Sequence, residues 1–259
     1  MDLNTVADVI SPAGVGQWRP GDAWLAGGTV LFGEPRPHLT RLLDLTTAGW
    51  PALTPREDGL EIAATCTIAE IAASGHDLVE RCCHAFLASF KIWNVATVGG
   101  NICAALPAGP MISLGAALDG TCLILGPDGS RTVSVRDFVI GEGLTVLSDG
   151  ELLRSIHLPA AALTAKTAFR QGSLHPNGRS AALLIGRLED DGLILTVTAA
   201  TKRPYVLKFR AFPAAEVMQI ALTERIPEDA YVDDVHGLPS WRRHLTRLYA
   251  EQIRQELSR

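Results

Sequence analysis

Two short segments contain residues suited to binding phosphate. Residues 24–29 read W-L-A-G-G-T and residues 96–101 read A-T-V-G-G-N, so each places paired glycines between an apolar stretch and a polar side chain. Glycine has no Cβ atom to keep a phosphate away from the backbone, and successive N–H groups can point into one concavity and bind an anion. A dinucleotide carries two phosphates, so the two segments together predict a pyrophosphate site. The other interpretation, which the pattern leaves open, is that both are ordinary tight turns.

Motifs for other common chemistries are absent. The sequence contains no G-x-G-x-x-G, G-x-x-x-x-G-K-[ST], H-E-x-x-H or G-x-S-x-G, which argues against a Rossmann dehydrogenase, a P-loop enzyme and the common hydrolases. Four side chains are acid–base candidates by residue type alone, Asp119, Asp137, His157 and His175. A structural or surface role is the stronger interpretation for each of them.

Length, composition and charge narrow the class further. The 259 residues, 47% hydrophobic and 20% charged, are typical of a soluble globular protein with two domains or two lobes. The net charge of −5, without a basic block, argues against a nucleic-acid partner. No apolar run is long enough to span a bilayer. The acidic N-terminal residues, with no apolar core after them, do not predict a signal peptide.

The cysteines predict a reducing environment. Their number is odd and no C-x-x-C pair exists, which fits neither a disulfide framework nor a zinc or iron–sulfur spacing. We therefore expect a cytoplasmic protein. Vicinal Cys82 and Cys83 have two interpretations, a redox pair or, as is usual, two small half-buried side chains on a helix. The five positions are Cys66, Cys82, Cys83, Cys103 and Cys122.

Local patterns divide the chain into three predicted units, residues 1–55, 56–159 and 160–259. The first is expected to contain strands over 23–25 and 42–45 and a Pro-rich loop over 51–55. The second is expected to begin with a strand over 60–64, a helix that begins at Ile68 after a Thr67–Glu70 capping box, and a helix over 78–90. An irregular region over 97–110 and a helix over 112–118 are expected next. A hairpin of 122–125 and 132–135 and a strand over 152–158 complete this unit.

The third unit changes character. Antiparallel strands are expected over 168–170, 181–186, 193–199 and 205–209, with a tight turn at residues 190–192. Two helices follow, and the last has an apolar face at helical spacing. The fold class is therefore predicted to be α+β with two lobes.

The sequence resembles a known family, the FAD-binding (medium) subunits of molybdenum hydroxylases. This family includes the flavoprotein parts of carbon monoxide dehydrogenase and xanthine dehydrogenase. A-G-G-T after a strand, A-T-V-G-G-N-I and P-A-G begin the resemblance. It continues in order over nearly the whole chain, through V-R-D-F at 135–138 with Gly141 and Thr145, G-E-L-L-R-S-I-H-L-P at 150–159, F-R-Q at 169–171, and D-D-V-H-G with S-W-R-R-H-L between 233 and 245.

The resemblance implies a fold and a cofactor. It implies two FAD-binding subdomains of the vanillyl-alcohol-oxidase (PCMH) type, over 1–55 and 56–159, and a C-terminal α+β domain with an antiparallel sheet over 160–259. FAD would be bound noncovalently. Arg170 matches a basic residue near the flavin, where a positive charge would favour the reduced anionic form; a surface arginine beside a strand is the alternative. The implied FAD contacts are Ala26, Gly27, Gly28, Thr29 and Val30 on one side, Thr97, Gly99, Gly100 and Asn101 on the other, and Pro107, Ala108, Gly109, Leu153 and Arg170.

The sequence also departs from the family pattern. Where relatives carry S-P-A-G-D, this chain has L-P-A-G-P at 106–110. Pro110 has neither a side-chain acceptor nor a backbone N–H, so one flavin contact is expected to be missing. The loop after Thr29 is shorter than is usual, and Trp241 replaces a tyrosine.

The resemblance implies an electron-transfer subunit. A molybdopterin-binding large subunit would oxidise the substrate, 2Fe-2S clusters in an iron–sulfur subunit would relay electrons, and FAD in this chain would pass them to an external acceptor, within a heterotrimer or its dimer. Two alternatives stay open. One is a non-enzymatic assembly or scaffold subunit that has lost FAD, which Pro110 motivates, and the other is a free-standing flavin oxidoreductase.

Overall fold

The computed structural model describes residues 3–258, and the first two residues, on which the argument against a signal peptide partly rests, lie outside this range. The strands of this range are, in chain order, β1 (Asp8–Ile10), β2 (Asp22–Leu25), β3 (Arg41–Asp44), β4 (Leu53–Arg56), β5 (Gly59–Ala63), β6 (Thr121–Gly126), β7 (Gly129–Ser134), β8 (Val139–Gly141), β9 (Leu144–Thr145), β10 (Leu152–Pro159), β11 (Thr167–Gly172), β12 (Ala182–Glu189), β13 (Gly192–Thr198) and β14 (Tyr205–Phe209). The α-helices are α1 (Ile68–Ala72), α2 (Asp77–Ala85), α3 (Phe90–Trp93), α4 (Val98–Cys103), α5 (Pro110–Ala117), α6 (Val135–Phe138), α7 (Ala160–Thr164), α8 (Ala215–Arg225) and α9 (Pro239–Leu257).

A small parallel sheet opens the fold. Its order is β1-β3-β2, and both outer strands run parallel to β3. Leu42 and Leu43 of β3 are buried, which gives the sheet an apolar centre. The strand β2 ends at Leu25, so the sheet delivers the chain directly into the first glycine segment.

The second sheet is antiparallel, in the order β4-β5-β10-β6-β7. Its edge strand β4 includes Pro55, so the prediction of a Pro-rich loop over 51–55 is wrong from Leu53 onward. An edge strand tolerates proline because one row of its N–H groups has no neighbour. The predicted boundary between residues 55 and 56 falls inside β4, and the division into three units stays a prediction. The hairpin of β6 and β7 and the capping box of α1 are confirmed.

Three local predictions between residues 78 and 118 needed correction. The helix predicted over 78–90 ends at Ala85, because Leu87 adopts a left-handed φ of 43° before α3 begins. The region 97–110 is not irregular throughout, since α4 occupies Val98–Cys103. The next helix, α5, begins at Pro110 rather than at residue 112, with the proline in the first helical position, where its missing N–H costs nothing.

The helix α5 lies at the centre of the fold. All its residues are buried, as expected of a helix that is apolar on every side. It packs against α2, α4 and α6 and also against β12 and β13 of the C-terminal sheet. The hydroxyl groups of Ser113 and Thr198 lie 2.6 Å apart and are buried, so a hydrogen bond joins the helix to that sheet.

The C-terminal sheet is an antiparallel meander in the order β11-β12-β13-β14. The helix α9 packs on β11 and β12, and α8 packs on α9 and β14. The tight turn predicted at 190–192 is confirmed. The structure thus has the predicted α+β class. No helix within residues 3–258 is long and apolar enough to cross a bilayer.

Close packing of α9 on β12 predicts a sensitive position at Gly186. A Cβ atom there would lie 2.2 Å from the Cγ2 of Ile253. We expect Gly186→Ala to lower the free energy of unfolding by about 1–3 kcal/mol, the usual cost of overpacking a core. Gly16→Ala is the matched control, because a Cβ at Gly16 meets no atom within 4 Å. Urea unfolding measures both, and equal stability of the two variants would contradict the prediction.

Candidate functional site

The first glycine segment forms a turn with unused hydrogen-bond donors. Gly28 has a φ of 69°, a left-handed conformation that glycine adopts without strain. Its carbonyl accepts the N–H of Phe32 at 2.8 Å, which closes the turn. Within residues 3–258, the N–H groups of residues 27–30 donate to no acceptor. Neighbouring backbone N–H groups left unpaired in this way are the donors that an anion requires.

The second glycine segment is different, and the prediction of an open row of N–H groups there is wrong. It forms the first turn of α4, for which Thr97 is the N-cap. Its N–H groups already donate within the chain, from Val98 to the carbonyl of Cys66 at 2.8 Å, from Gly99 to that of Ala64 at 3.0 Å, from Gly100 to the Thr97 Oγ1 at 3.0 Å and from Asn101 to the Thr97 carbonyl at 2.9 Å.

Close backbone contact brings the two segments together. A Cβ atom on Gly27 would lie 1.9 Å from the carbonyl oxygen of Val95, just before Thr97. A Cβ on Gly99 would lie 2.4 Å from the Cβ of Ala64. The glycines at 27 and 99 are therefore required for packing. Gly27 places the end of β2 directly against the chain that enters α4, and Gly99 packs α4 against Ala64.

A cleft opens beside this contact. Its volume is about 330 Å³, within the range of roughly 300–1,000 Å³ that is typical of small-molecule sites. Six of the predicted cofactor contacts line it, which are Thr29, Val30, Asn101, Pro107, Ala108 and Gly109.

The other predicted contacts lie elsewhere. Ala26, Gly27 and Gly28 belong to the adjoining turn, and Thr97, Gly99 and Gly100 to the start of α4. Leu153 is buried in β10. Arg170 donates through Nε to the Oε1 of Gln252 at 3.0 Å and forms an ion pair with Glu256 at 2.7 Å, so its charge is already compensated by α9.

Much of the cleft wall comes from residues that sequence reasoning did not assign to the site. Arg179 is exposed and has no hydrogen-bond or ion-pair partner within the described range, so it brings a free positive charge to the cleft, where the exposed Glu142 brings a negative one. The segment D-D-V-H-G was noticed only as part of a family resemblance, although Asp234 and His236 line the cleft. The C-terminal part of the wall consists of Arg179, Ser180, Ala199, Asp234, His236 and Arg242.

The acid–base candidates chosen by residue type do not line this cleft. Asp119 forms ion pairs with the buried Arg187 and with Lys208. Asp137 accepts a hydrogen bond from Ser134 at 2.5 Å, which lowers the pKa of its carboxyl group. Both acids therefore have structural roles in this fold.

The cleft fits a ligand with an anionic centre and a flat apolar group. The unpaired N–H groups of residues 27–30 can meet an anion. The Oδ1 of Asn101 accepts the N–H of Met111 at 3.0 Å, which leaves the Nδ2 of Asn101 as a donor. Four side chains at the cleft are apolar and partly exposed, Val30, Leu87, Ile92 and Leu106. Together these features define an α+β protein whose cleft combines hydrogen-bond donors for an anion with an apolar surface.

Comparison with known proteins identifies the family. The family of the FAD binding domain in molybdopterin dehydrogenase matches residues 18–161, more than half of the chain. The chain therefore belongs to this family, whose cofactor is FAD, and the predicted resemblance is confirmed. The residues of the cleft fit this cofactor, except that Pro110, buried in the first turn of α5, offers no carboxylate.

Related sequences cover part of the chain. The carbon monoxide dehydrogenase medium chain of Afipia carboxidovorans is 29% identical over 144 residues, which are 52% of this chain and 50% of that protein. Xanthine dehydrogenase of Oryza sativa subsp. japonica is 31% identical over 123 residues, 41% of this chain and 9% of that protein. The match thus spans about half the length of the medium chain.

Solved structures match the fold over almost its full length. Quinoline 2-oxidoreductase from Pseudomonas putida 86 aligns with a TM-score of 0.81 at 19% identity, covering 99% of this chain and 98% of that chain. Reconstituted CO dehydrogenase from Oligotropha carboxidovorans aligns with a TM-score of 0.82 at 19% identity, covering 98% and 97%. The predicted fold class is confirmed.

The contact between Gly27 and Val95 makes a direct prediction. We expect Gly27→Ala to lower the free energy of unfolding by about 1–3 kcal/mol, because its methyl group would collide with a backbone carbonyl that cannot rotate away. Gly14→Ala is the matched control, since a Cβ there meets no atom within 4 Å. Urea unfolding compares the two variants. Equal losses would mean that the approach of the two segments does not depend on Gly27.

The vicinal cysteines are not arranged as a reactive pair. Cys82 and Cys83 are fully buried in α2, more so than the predicted half-burial. Burial raises the pKa of Cys83 to about 12, from a usual value of 9.0. Their thiolates are therefore suppressed in the folded chain at neutral pH.

We accordingly expect Cys82 and Cys83 to resist a pulse of iodoacetamide at pH 8 and to react once the chain is unfolded, as read by peptide mass spectrometry. The pH dependence has a fixed sign. Above pH 9.0 the unfolded chain forms thiolate while folded Cys83 keeps its proton up to about 12, so the free energy of unfolding falls across that interval. Rapid alkylation of the folded chain would instead support a redox pair.

Proposed function

We propose that this chain binds FAD noncovalently in the cleft and acts as the electron-transfer subunit of a multi-subunit molybdenum hydroxylase. The observation that carries the proposal is the row of unpaired N–H groups at residues 27–30, at the edge of a cleft that reaches the P-A-G segment, in a chain of the FAD-binding family. The subunit would take electrons from an iron–sulfur partner and pass them to an external acceptor.

The residues of the chain divide the work of holding the cofactor. The N–H groups of residues 27–30 and the Nδ2 of Asn101 would donate to the pyrophosphate, and Arg179 would add positive charge. The apolar side chains of Val30, Leu87 and Ile92 would cover the aromatic ring system and exclude water. FAD, when bound, supplies the redox chemistry, and the protein supplies position and electrostatics.

The remaining predicted contacts have a different part in the proposal. Thr97, Gly99 and Gly100 would act through the backbone, because their N–H and hydroxyl groups set the start of α4 and so the position of Asn101. Ala26 would shape the first turn. Leu153 and Arg170 stay predicted contacts, and Arg170 would have to release Glu256 to meet the flavin.

The partners follow from the family. We propose an iron–sulfur subunit with 2Fe-2S clusters and a molybdopterin-binding large subunit, assembled with this chain as a heterotrimer or its dimer in the cytoplasm. The support is membership of a family of molybdopterin dehydrogenase domains and the fold shared with a Cu,Mo-CO dehydrogenase.

A second candidate is an assembly subunit that has lost FAD. Pro110 favours it, because the position at which relatives carry an acid is a buried proline in this chain. The two candidates differ in whether the purified chain carries or accepts FAD.

The test is cofactor identification combined with one variant. We expect about one FAD per chain, released by denaturation without covalent attachment. Asn101→Asp keeps an oxygen to accept the N–H of Met111 but replaces the Nδ2 donor by a negative charge. It should weaken FAD binding by about tenfold or more, the scale of a lost hydrogen bond to a charged group, with unchanged stability.

Asn4→Asp is the matched control, because Asn4 is exposed and lies outside the cleft and the substitution adds the same charge. FAD affinity is read by fluorescence titration and stability by thermal unfolding. A colourless chain that does not take up FAD, even beside its partner subunits, would favour the assembly subunit. Equal affinities of the two variants would remove Asn101 from the site.

A further inference from the structure

Arg242 is a fully buried charged side chain, with 1% exposure, and it lies in the first turns of α9. Its guanidinium donates through Nε to the carbonyl of Gly237 at 3.0 Å, and its Nη1 donates to the carbonyls of Ala181 at 2.9 Å and Ala199 at 2.8 Å. The Nη2 donates to the carboxylate of Asp234. A buried cation is costly unless it is paired and hydrogen-bonded, and these contacts meet both conditions.

The three carbonyls belong to three different segments. Ala181 immediately precedes β12, Ala199 follows β13, and Gly237 lies in the turn before α9. A planar guanidinium presents its donors in a fixed fork and can reach several acceptors at once, whereas a lysine ammonium is a point charge on a flexible stem. Arg242 therefore ties the turn before α9, which the sheet hydrogen bonds do not reach, to the adjacent ends of β12 and β13, which the sheet pairs directly.

One of these segments is connected to the cleft. Ala199 has a left-handed φ of 62°, and while its carbonyl accepts from Arg242, its N–H donates to the carbonyl of Pro107 at 2.9 Å. Pro107 begins the P-A-G segment, and that segment, Ala199 and Arg242 all line the cleft. Hydrogen bonds thus connect α9, through Ala199, to the Pro107–Gly109 wall of the cleft.

We propose that Arg242 is a positioning residue for the cofactor cleft: through Ala199 it holds the Pro107–Gly109 wall in place, so that the C-terminal domain sets the shape of the site. The nature of the ligand rests on the proposed function, but the mechanical connection does not. The side chain acts through Ala199, and Asp234 compensates its charge.

The test is Arg242→Lys in the full chain, with two measurements. In the chain without FAD, we expect the Ala199 amide to exchange its hydrogen about tenfold faster or more, because the carbonyl of the same residue loses its anchor and local opening becomes easier. In the FAD titration, we expect affinity to fall by about tenfold. The visible circular dichroism of the bound flavin should change, since it reports the geometry of the cleft.

Two controls separate positioning from general loss of stability. Arg243→Lys changes the next residue of α9, whose partner is the exposed Glu228. Met218→Ala removes a fully buried side chain of the C-terminal core that is not among the acceptors of Arg242. Arg243→Lys should resemble the wild type, and Met218→Ala should lower the melting temperature with little change in Ala199 exchange or in FAD affinity.

Each outcome decides the proposal. The proposal is overturned if the Ala199 amide of Arg242→Lys exchanges its hydrogen as slowly as in the wild type. It is also overturned if Met218→Ala accelerates this exchange and weakens FAD binding as much as Arg242→Lys does, because Arg242 would then have only a structural role. If Arg242→Lys does not fold, Asp234→Asn is used in its place. We then expect a smaller acceleration of hydrogen exchange at the Ala199 amide, and an unchanged exchange rate would contradict the proposal. If the wild type does not bind FAD, the proposed function fails and the exchange measurement alone decides the role of Arg242.

Discussion

The contact between the backbone of Gly27 and the carbonyl of Val95 is the constraint on which the site depends. It joins the small parallel sheet, through the turn after β2, to the chain that leads into α4. Any side chain at residue 27 would separate these two parts. Because the turn lies against Val95, its unpaired N–H groups are held at the edge of the cleft without a cofactor to order them, which reduces the entropy that binding must offset.

The C-terminal side of the cleft is held in place by buried polar groups rather than by close backbone contact. Arg187 of β12 donates to the carbonyl of Ala117 at 3.0 Å and pairs with Asp119, which ties the C-terminal sheet to the end of α5. The hydroxyl bond between Ser113 and Thr198 joins the same two elements. Buried polar contacts of this kind are favourable only when every member is satisfied, so they specify one position of α5 relative to the C-terminal sheet.

Much of the fold was predictable because its signals are local. The capping box at Thr67 and Glu70, the hairpin of β6 and β7 and the short apolar strands of the C-terminal meander each depend on a few adjacent residues. The six-residue α4 was not predictable, because two glycines weaken a helix by roughly 0.5–1 kcal/mol each. The hydrogen bonds from residues 98 and 99 to Cys66 and Ala64, which help to offset this, are not visible in the local sequence.

The site was predictable in part for the same reason. The first glycine turn follows from its own sequence, and six predicted contacts do line one cleft. The C-terminal wall could not be inferred from spacing, because Arg179, in the loop between β11 and β12, meets Asp234 and Arg242 at the cleft only in the folded chain. Arg170 was predicted from its residue type to lie near the flavin, but its guanidinium forms an ion pair with Glu256 at 2.7 Å. The sequence pattern did not show this pairing.

The most direct test is an experimental structure of the chain with FAD. We expect the pyrophosphate oxygens to lie within hydrogen-bond distance of the N–H groups of residues 27–30 and of the Nδ2 of Asn101, with the ring system beside Val30 and Ile92. A pyrophosphate bound elsewhere, with those N–H groups facing solvent, would contradict this expectation.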